Sequence, residues 1–131
     1  MLEPLIKEKN IAFSIEGEGV ILMEKRHLFA LLKNLCENAV KYNNDGGRVE
    51  VKLTKEQSKM VIAVIDDGIG IAIEDQKRVF ERFYRVDKSR SRETGGTGLG
   101  LSIVKHIVEF YEAEIALKSA PGKGTTVEIR L

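Results

Sequence analysis

The feature that most constrains the fold is a continuous apolar run over residues 60–65, which ends at an aspartate. An uninterrupted apolar run of this length predicts a strand near the centre of a sheet. Shortly before it, Val49, Val51 and Leu53 alternate with polar residues. That alternation predicts a neighbouring strand with one buried face.

Two longer segments, residues 27–43 and 99–111, carry the three- and four-residue apolar period of a helix. In the second segment, one face is expected to hold Ile103, Ile107, Phe110 and Tyr111. Residues 2–8 are expected to form a short helix or arm, and residues 74–83 a short helix. Further strands are expected over residues 9–16, 19–23, 114–119 and 125–131, with a turn at residues 121–124 between the last two.

Strands and helices that do not strictly alternate predict an α+β fold, a two-layer sandwich with helices on one face of the sheet. The other face is expected to meet solvent or a partner. Residues 84–97 have no apolar period and are polar and basic, which predicts a mobile loop.

The length of 131 residues predicts one domain, spanning residues 1–131. Since 43% of the residues are hydrophobic and 31% are charged, the chain can bury a core and still present a polar surface. A net charge of +1 argues against a dedicated nucleic-acid or membrane-surface binder. Cys36 is the single cysteine, so an internal disulfide and a cysteine-based zinc site are excluded, and it is expected in the core. His27 and His106 are expected to be ordinary helix residues and not metal ligands.

A polar stripe is expected on the first long helix, where Asn34, Asn38 and Lys41 are spaced by four and three residues. An asparagine oxygen can ligate Mg²⁺ and a lysine can neutralise phosphate. The alternative is a solvated helix face.

The apolar strand delivers Asp66 to its end, where Gly68 and Gly70 follow. A carboxylate at this position can accept a hydrogen bond from an exocyclic amine such as that of adenine, and the glycines would let a ligand approach the backbone. The alternative is a plain Asp-Gly turn. The glycine spacing fits neither a dinucleotide-binding fingerprint nor a P-loop.

A third motif, residues 95–102, is rich in glycine and leads into the second long helix. Free backbone N–H groups at a helix start favour phosphate, and glycine hinges can let a lid close. The alternative is a flexible linker. Just before the polar loop, residues 80–85 combine aromatic rings expected to pack with Arg85, which could reach a phosphate. A solvated loop face and a functional role both remain open for Lys88, Arg90 and Arg92.

Together, the order and spacing of these motifs resemble the catalytic ATP-binding domain of bacterial sensor histidine kinases, most like the phosphate-regulon and cell-wall sensor type. That domain belongs to the superfamily shared with gyrase and certain chaperones. The matching segments are the N box (residues 34–42), G1 box (66–70), F box (80–85), G2 box (96–101) and closing glycine motif (122–126).

The resemblance implies a Bergerat ATP-binding fold, with a mixed sheet of about five strands on three helices and a mobile ATP lid. It implies that Asn38 ligates Mg²⁺, that Asp66 accepts from the adenine amine, and that Arg85 approaches the γ-phosphate. Asn34, Asn38 and Arg85 are the implied catalytic residues. The other implied nucleotide-binding residues are Lys41, Tyr42, Gly68, Gly70, Gly96, Thr97, Gly98, Leu99, Gly100 and Thr125.

Two departures refine the expectation. ATP-hydrolysing members of the superfamily usually have Glu at the position of Asn34, and an amide cannot take a proton from water, which suits phosphoryl transfer better than hydrolysis. Neither His27 nor His106 matches the family's acceptor-histidine motif. The acceptor and dimerisation helices are thus expected to lie outside this sequence, with residues 1–8 a remnant of that region.

The expected function is therefore to bind Mg·ATP and donate the γ-phosphoryl group to a histidine on a separate dimerisation domain. A response regulator is the further expected partner, which is reached through that domain. We expect the isolated chain to be a monomer that does not autophosphorylate. We also expect it to be the cytoplasmic portion of a membrane-anchored sensor. An anti-sigma-factor-type serine kinase and a nucleotide-sensing module without transfer activity are the alternatives.

Overall fold

The computed structural model describes residues 3–76, 78–80 and 100–131. Within these ranges it contains helices α1 (Glu3–Lys9), α2 (Lys25–Lys41), α3 (Ile73–Gln76) and α4 (Gly100–Phe110). Its strands are β1 (Ala12–Glu16), β2 (Arg48–Glu56), β3 (Lys59–Asp66), β4 (Glu114–Ser119) and β5 (Thr125–Arg130).

The five strands form one mixed sheet in the order β1-β2-β3-β5-β4. Strand β1 pairs parallel to β2, and the other neighbours are antiparallel. The apolar strand β3 lies at the centre, as its sequence predicts. The α+β class and the five-stranded mixed sheet are both confirmed.

The core lies between one face of the sheet and helices α2 and α4. Val51, Val64 and Val127 face one another across β2, β3 and β5, and all three are buried. From the helices, the buried residues include Leu31, Leu35, Cys36, Ala39, Val40, Val104, Ile107 and Val108. The leucine-rich face of α2 and the core position of Cys36 are therefore confirmed.

The opposite face of the sheet carries charged side chains, because alternate residues of a strand point to opposite sides. Ion pairs join Lys52 to Glu50 at 3.8 Å and Lys118 to Glu128 at 3.4 Å. This face is compatible with solvent, whereas the other face is covered by helices.

Helices α1 and α4 end in the same hydrogen-bonded cap. After α1, Asn10 has φ 54°, and the N–H of Ile11 donates to the carbonyl of Ile6 at 3.0 Å. After α4, Glu112 has φ 53°, and the N–H of Ala113 donates to the carbonyl of Val108 at 2.8 Å. A left-handed residue followed by this bond satisfies carbonyls that the helix leaves open. Helix α2 ends differently, since Tyr42 has φ −100°.

The expected strand over residues 19–23 is wrong. Val20 and Leu22 are 78% and 91% exposed, while Ile21 and Met23 pack against the core. Side chains alternate here as in a strand, but the segment does not pair with the sheet. A local bond from the N–H of Met23 to the carbonyl of Ile21, at 3.1 Å, bends it instead.

The expected apolar face of the second long helix is partly wrong. Ile107 is buried, but Phe110 is 67% exposed and Ile103 is also exposed, and Val104 and Val108 take their places in the core. Other boundaries shift slightly: β1 begins at Ala12 because α1 runs to Lys9.

The expected helix over residues 74–83 is described only as α3 and the turn at residues 78–80. The loop expected over residues 84–97 lies outside the described residues. None of the described helices has the length and apolarity needed to cross a membrane.

Candidate functional site

The carboxylate of Asp66 stands at the end of the central strand, on the sheet face that carries the core. Its strand partners on this row are Val49 of β2 and Thr125 of β5. The next residue, Asp67, is exposed, and its Oδ1 accepts the backbone N–H of Arg48 at 2.7 Å. Of the two adjacent carboxylates, Asp67 therefore fastens the start of β2, and Asp66 is the one available to a ligand.

Burial raises the pKa of Asp66 from 3.8 to about 6. Backbone hydrogen bonds from Gly68 and Thr125 oppose this rise, and the nearby charge of Asp67 adds to it. The N–H of Gly68 lies 2.9 Å from Oδ1 of Asp66. A partly desolvated carboxylate with fixed donors on its protein side is well suited to accept a hydrogen bond from a bound base.

The loop after Asp66 docks on the end of α2. The N–H of Ile69 donates to the carbonyl of Tyr42 at 3.2 Å. A Cβ on Gly68 would stand 2.6 Å from that same carbonyl oxygen, and one on Gly70, where φ is +72°, would stand 1.9 Å from the carbonyl oxygen of Ala120. The structure thus gives both glycines a packing role. Gly68 lets the Asp66 loop approach the end of α2, and Gly70 lets it approach the chain that follows β4.

A polar network around Ser119 supports the other side of this loop. Its Oγ accepts the N–H of Ile71 at 2.8 Å, donates to the carbonyl of Gly124 at 2.9 Å, and lies 2.8 Å from Oγ1 of Thr125. Gln76 of α3 donates through Nε2 to the carbonyls of Ile71 and Ser119. Thr125 is therefore held between Asp66 and Ser119 in one row across the sheet.

The polar stripe on α2 is half-buried, as its position between core and surface requires. Nδ2 of Asn34 donates to the carbonyl of Ala30 at 2.7 Å. The side chains of Asn38 and Lys41 have no hydrogen-bond partner among the described residues. Asn38 precedes Tyr42 by one helical turn, about 6 Å along the axis, so the stripe leads toward the Asp66 loop.

The donors present fit an oxygen-liganded cation better than a cysteine- or histidine-bound one. Within the described ranges, no group of three or more His, Cys, Asp or Glu side chains could hold a metal. His27 packs instead at the far end of α2, where its Nδ1 lies 2.5 Å from the hydroxyl of Tyr111. The amide of Asn38, which has no partner in the part of the chain that the structure describes, offers a hard oxygen of the kind that Mg²⁺ accepts when substrate phosphates supply the other ligands.

The structure thus brings together Tyr42, Asp66, Gly68, Gly70 and Thr125, with Lys41 and Asn38 along the adjoining helix. Gly100 is the first residue of α4, which packs against α2. The remaining sequence-derived site residues, which all lie outside the described residues, are Arg85, Gly96, Thr97, Gly98 and Leu99.

Sequence reasoning missed three supporting residues, Lys9, Asn43 and Ser119. Asn43 is fully buried, and its Nδ2 donates to the carbonyl of Arg48 at 2.9 Å. Its position in a run of turn-forming residues masks this role, since asparagine is common in turns. The roles of Lys9 and Ser119 depend on contacts distant in sequence, which no local pattern encodes.

A family model described as histidine kinase-, DNA gyrase B-, and HSP90-like ATPase matches residues 23–131. The chain belongs to this family. The resemblance found in the sequence motifs is therefore confirmed.

Within this ATPase family, the similar proteins are sensor kinases. The chain is 48% identical over 111 residues to the sensor-like histidine kinase SenX3 of Mycolicibacterium smegmatis, which covers 85% of this chain and 29% of that protein. The structure resembles the mycobacterial sensor histidine kinase MprB, with a TM-score of 0.84, 29% identity and coverage of 99% of this chain and 89% of that one. It also resembles full-length ShkA in complex with AMPPNP, with a TM-score of 0.81, 26% identity and coverage of 98% and 27%. The chain thus spans less than a third of the length of SenX3.

Proposed function

We propose that this domain binds Mg·ATP and donates the γ-phosphoryl group to a histidine on a separate dimerisation and phosphoacceptor domain, in two-component signalling. The observation that carries the proposal is the placement of Asp66. Its half-buried carboxylate ends the central strand beside Thr125, and its loop is fastened to the end of α2. Membership in the ATPase family supports this assignment.

Asp66 would recognise the base. A carboxylate only accepts hydrogen bonds when ionised, so it favours an exocyclic amine and disfavours a carbonyl at the same position. Adenine presents an amine there and guanine presents a carbonyl oxygen. The proposal therefore includes a preference for adenine nucleotides. ShkA, a structural relative, is described in complex with the ATP analogue AMPPNP.

The α2 stripe would face the phosphates. Asn38 would hold Mg²⁺, and Lys41, in the last turn of α2, would offset phosphate charge. Bound Mg²⁺ supplies charge neutralisation at the transferring phosphoryl group. Tyr42 would lie beside the nucleotide, since its carbonyl already holds the Asp66 loop. Arg85 and the glycine-rich residues 96–100 would complete the phosphate side.

Asn34 supports transfer over hydrolysis. Its Nδ2 already donates to the carbonyl of Ala30, and an amide oxygen is a very weak base. Water is therefore not activated at this position. A neutral imidazole on a partner domain needs no such base, because it is already a nucleophile.

The test is calorimetric titration of ATP into the chain, with and without Mg²⁺. The parent and Asp67→Asn are expected to bind with similar affinity, whereas Asp66→Asn should bind about tenfold or more weakly, because one hydrogen bond to a charged group is lost. Asp67→Asn is the matched control, since it removes the adjacent, exposed carboxylate. Equal affinity in all three would remove Asp66 from the site.

The transfer step needs a second assay. The chain is mixed with the isolated phosphoacceptor domain of a sensor kinase such as SenX3 and with γ-labelled ATP. Acid-labile label on the acceptor histidine supports the kinase assignment. Tight ATP binding with no label on any histidine would leave a nucleotide-sensing module in its place.

A further inference from the structure

Helix α2 ends at the candidate site without the cap that closes α1 and α4. A helix leaves its last carbonyl oxygens without partners, and a left-handed residue usually supplies the missing donors. At the end of α2 the N–H of Tyr42 bonds to Asn38, and that of Asn43 to Val40. The donors that complete this end come from elsewhere in the chain.

Lys9 supplies them. Its Nζ donates to the carbonyl oxygens of Val40 at 3.2 Å, Lys41 at 2.7 Å and Asn43 at 3.0 Å. An ammonium has three N–H donors, so these contacts use all of them. The positive charge also lies at the negative end of the helix dipole, which strengthens the arrangement.

The backbone of Lys9 is held at the same place. The N–H of Gly46 donates to the carbonyl of Lys9 at 2.7 Å. The left-handed Asn10 then turns the chain into β1, so the cap of α1 fixes where Lys9 points. Lys9 therefore joins α1, the end of α2 and the loop that follows it.

The same helix end carries the residues proposed for the nucleotide. The carbonyl of Lys41 is one of those that Lys9 caps, and Tyr42 is the next residue. The carbonyl of Tyr42 accepts the N–H of Ile69 from the Asp66 loop. A shift of this helix end would move the phosphate-side and base-side residues together. Lys9 itself is distant in sequence from all of them.

We propose that Lys9 is a positioning residue for the nucleotide site, which it sets by capping α2 with its ammonium. This inference rests on the proposed function for its binding consequence. It also has a consequence without nucleotide, because the bond between Ile69 and Tyr42 depends on the same helix end.

The experiment compares Lys9→Met, which keeps most of the length of the side chain and removes its donors, with three other variants. Lys7→Met removes an exposed lysine from the same helix. Tyr111→Phe removes a hydroxyl at the opposite end of α2, about 25 Å away along a 17-residue helix, and so controls for a general loss of stability. Lys9→Arg restores a cation with several N–H donors.

Calorimetry measures ATP affinity, and the amide resonance of Ile69 is followed by NMR without nucleotide. Lys9→Met should weaken ATP binding about fivefold or more and shift the Ile69 amide, with Lys7→Met and Tyr111→Phe within about twofold of the parent and Lys9→Arg partly restored. Lys9→Met with parental affinity and an unmoved Ile69 amide would overturn the inference, as would an equal loss of affinity in Tyr111→Phe.

Failure of the proposed function gives a different result. In that case the parent itself does not bind ATP, and the Ile69 amide alone decides the role of Lys9. A shifted amide would preserve Lys9 as the residue that sets the helix end. An unmoved amide would reject it.

Discussion

The Oγ1 of Thr125 and the Oγ of Ser119 lie 2.8 Å apart, within hydrogen-bond distance, and Thr125 is the donor that fits the other contacts of Ser119. The direction follows from Ser119, which has one proton and gives it to the carbonyl of Gly124 while also accepting the N–H of Ile71. A hydroxyl that already donates its single proton can only accept a hydrogen bond in its remaining contact. Thr125 Oγ1 is therefore restricted to accepting hydrogen bonds from a ligand or a bridging water.

Replacing Thr125 by valine tests this acceptor. The side chain keeps its shape but loses the oxygen beside Asp66, so ATP should bind about fivefold to tenfold more weakly if the oxygen serves the base, in line with one ordinary hydrogen bond. The free energy of unfolding should fall by about 1 kcal/mol because Ser119 loses a donor. Calorimetry and urea denaturation measure the two effects.

Thr126→Val is the matched control for this change. Thr126 is the next residue of β5 and points to the opposite face of the sheet, so its replacement should leave ATP affinity unchanged. Equal affinities for Thr125→Val and Thr126→Val would exclude Thr125 from the nucleotide site.

Asp66 should make the fold less stable as pH rises from about 4 to 6. Its pKa is about 6 in the folded chain against 3.8 ordinarily, so the folded state binds more protons across this window and stability is lost as they leave. The full shift corresponds to about 3 kcal/mol, and partial exposure reduces the expected loss to about 1–2 kcal/mol. Urea denaturation of the parent and Asp66→Asn at several pH values measures it.

The informative quantity is the difference between parent and variant. It should change steadily between pH 4 and pH 6 and stay constant above about pH 7. A flat difference for Asp66→Asn across the window would contradict the raised pKa.

Asn38→Ala should weaken the effect of Mg²⁺ on ATP binding. The amide is half-buried without a partner among the described residues, so its removal costs the fold little and removes one proposed metal ligand. Titration of ATP at a series of Mg²⁺ concentrations should show a smaller gain in affinity than in the parent. Glu37→Ala, at the preceding position of the same helix, provides the control. Superimposable Mg²⁺ dependences for Asn38→Ala and the parent would dismiss the ligand assignment.

Tyr111→Phe should destabilise the fold without affecting the nucleotide. The hydroxyl accepts the N–H of Glu24 at 3.2 Å and contacts His27 at 2.5 Å, and the ring contacts of Tyr111 with Phe110 and His27 would remain. Loss of two hydrogen bonds predicts a fall of about 1–2 kcal/mol in the free energy of unfolding. An unchanged free energy of unfolding would mean that the hydrogen bonds of this hydroxyl do not stabilise the contact between α2 and α4.

Local patterns were sufficient for the elements that bury a continuous face. The apolar run of β3 and the leucines of α2 each have one arrangement that removes them from water. The segment from Gly19 to Met23 has a strand-like alternation, yet only the pairing of neighbouring strands decides whether such a segment joins a sheet. On α4, Phe110 is as apolar as Val108, and the difference in burial comes from where α2 and β4 contact the helix.

The proximity of Asp66 and Thr125 agrees with the sequence-based expectation, whereas the contacts that support them were not predictable from the sequence. Asp66 stands out in the sequence at the end of an apolar strand, Thr125 is implied by the family resemblance, and the structure places the two side by side. Lys9 contacts carbonyls 31 to 34 residues away in the chain, and Ser119 contacts residues 43 and 48 positions away. A lysine at a helix end is ordinarily a solvated charge, so its sequence context gives no sign of the carbonyls it caps.

The strand order has a consequence for how the domain is made. Strand β5 lies between β3 and β4, so the chain must synthesise β4 before the strand that separates it from the centre of the sheet. Until β5 has been synthesised, the edge of β3 that pairs with it has no partner strand, and Asp66 lacks its neighbour Thr125. Long-range pairing of this kind slows folding, because distant segments must lose conformational entropy by meeting before their contacts stabilise the fold. The row that sets Thr125 beside Asp66 therefore forms only when β5 pairs with β3, a step that requires the segment following β4 in the chain.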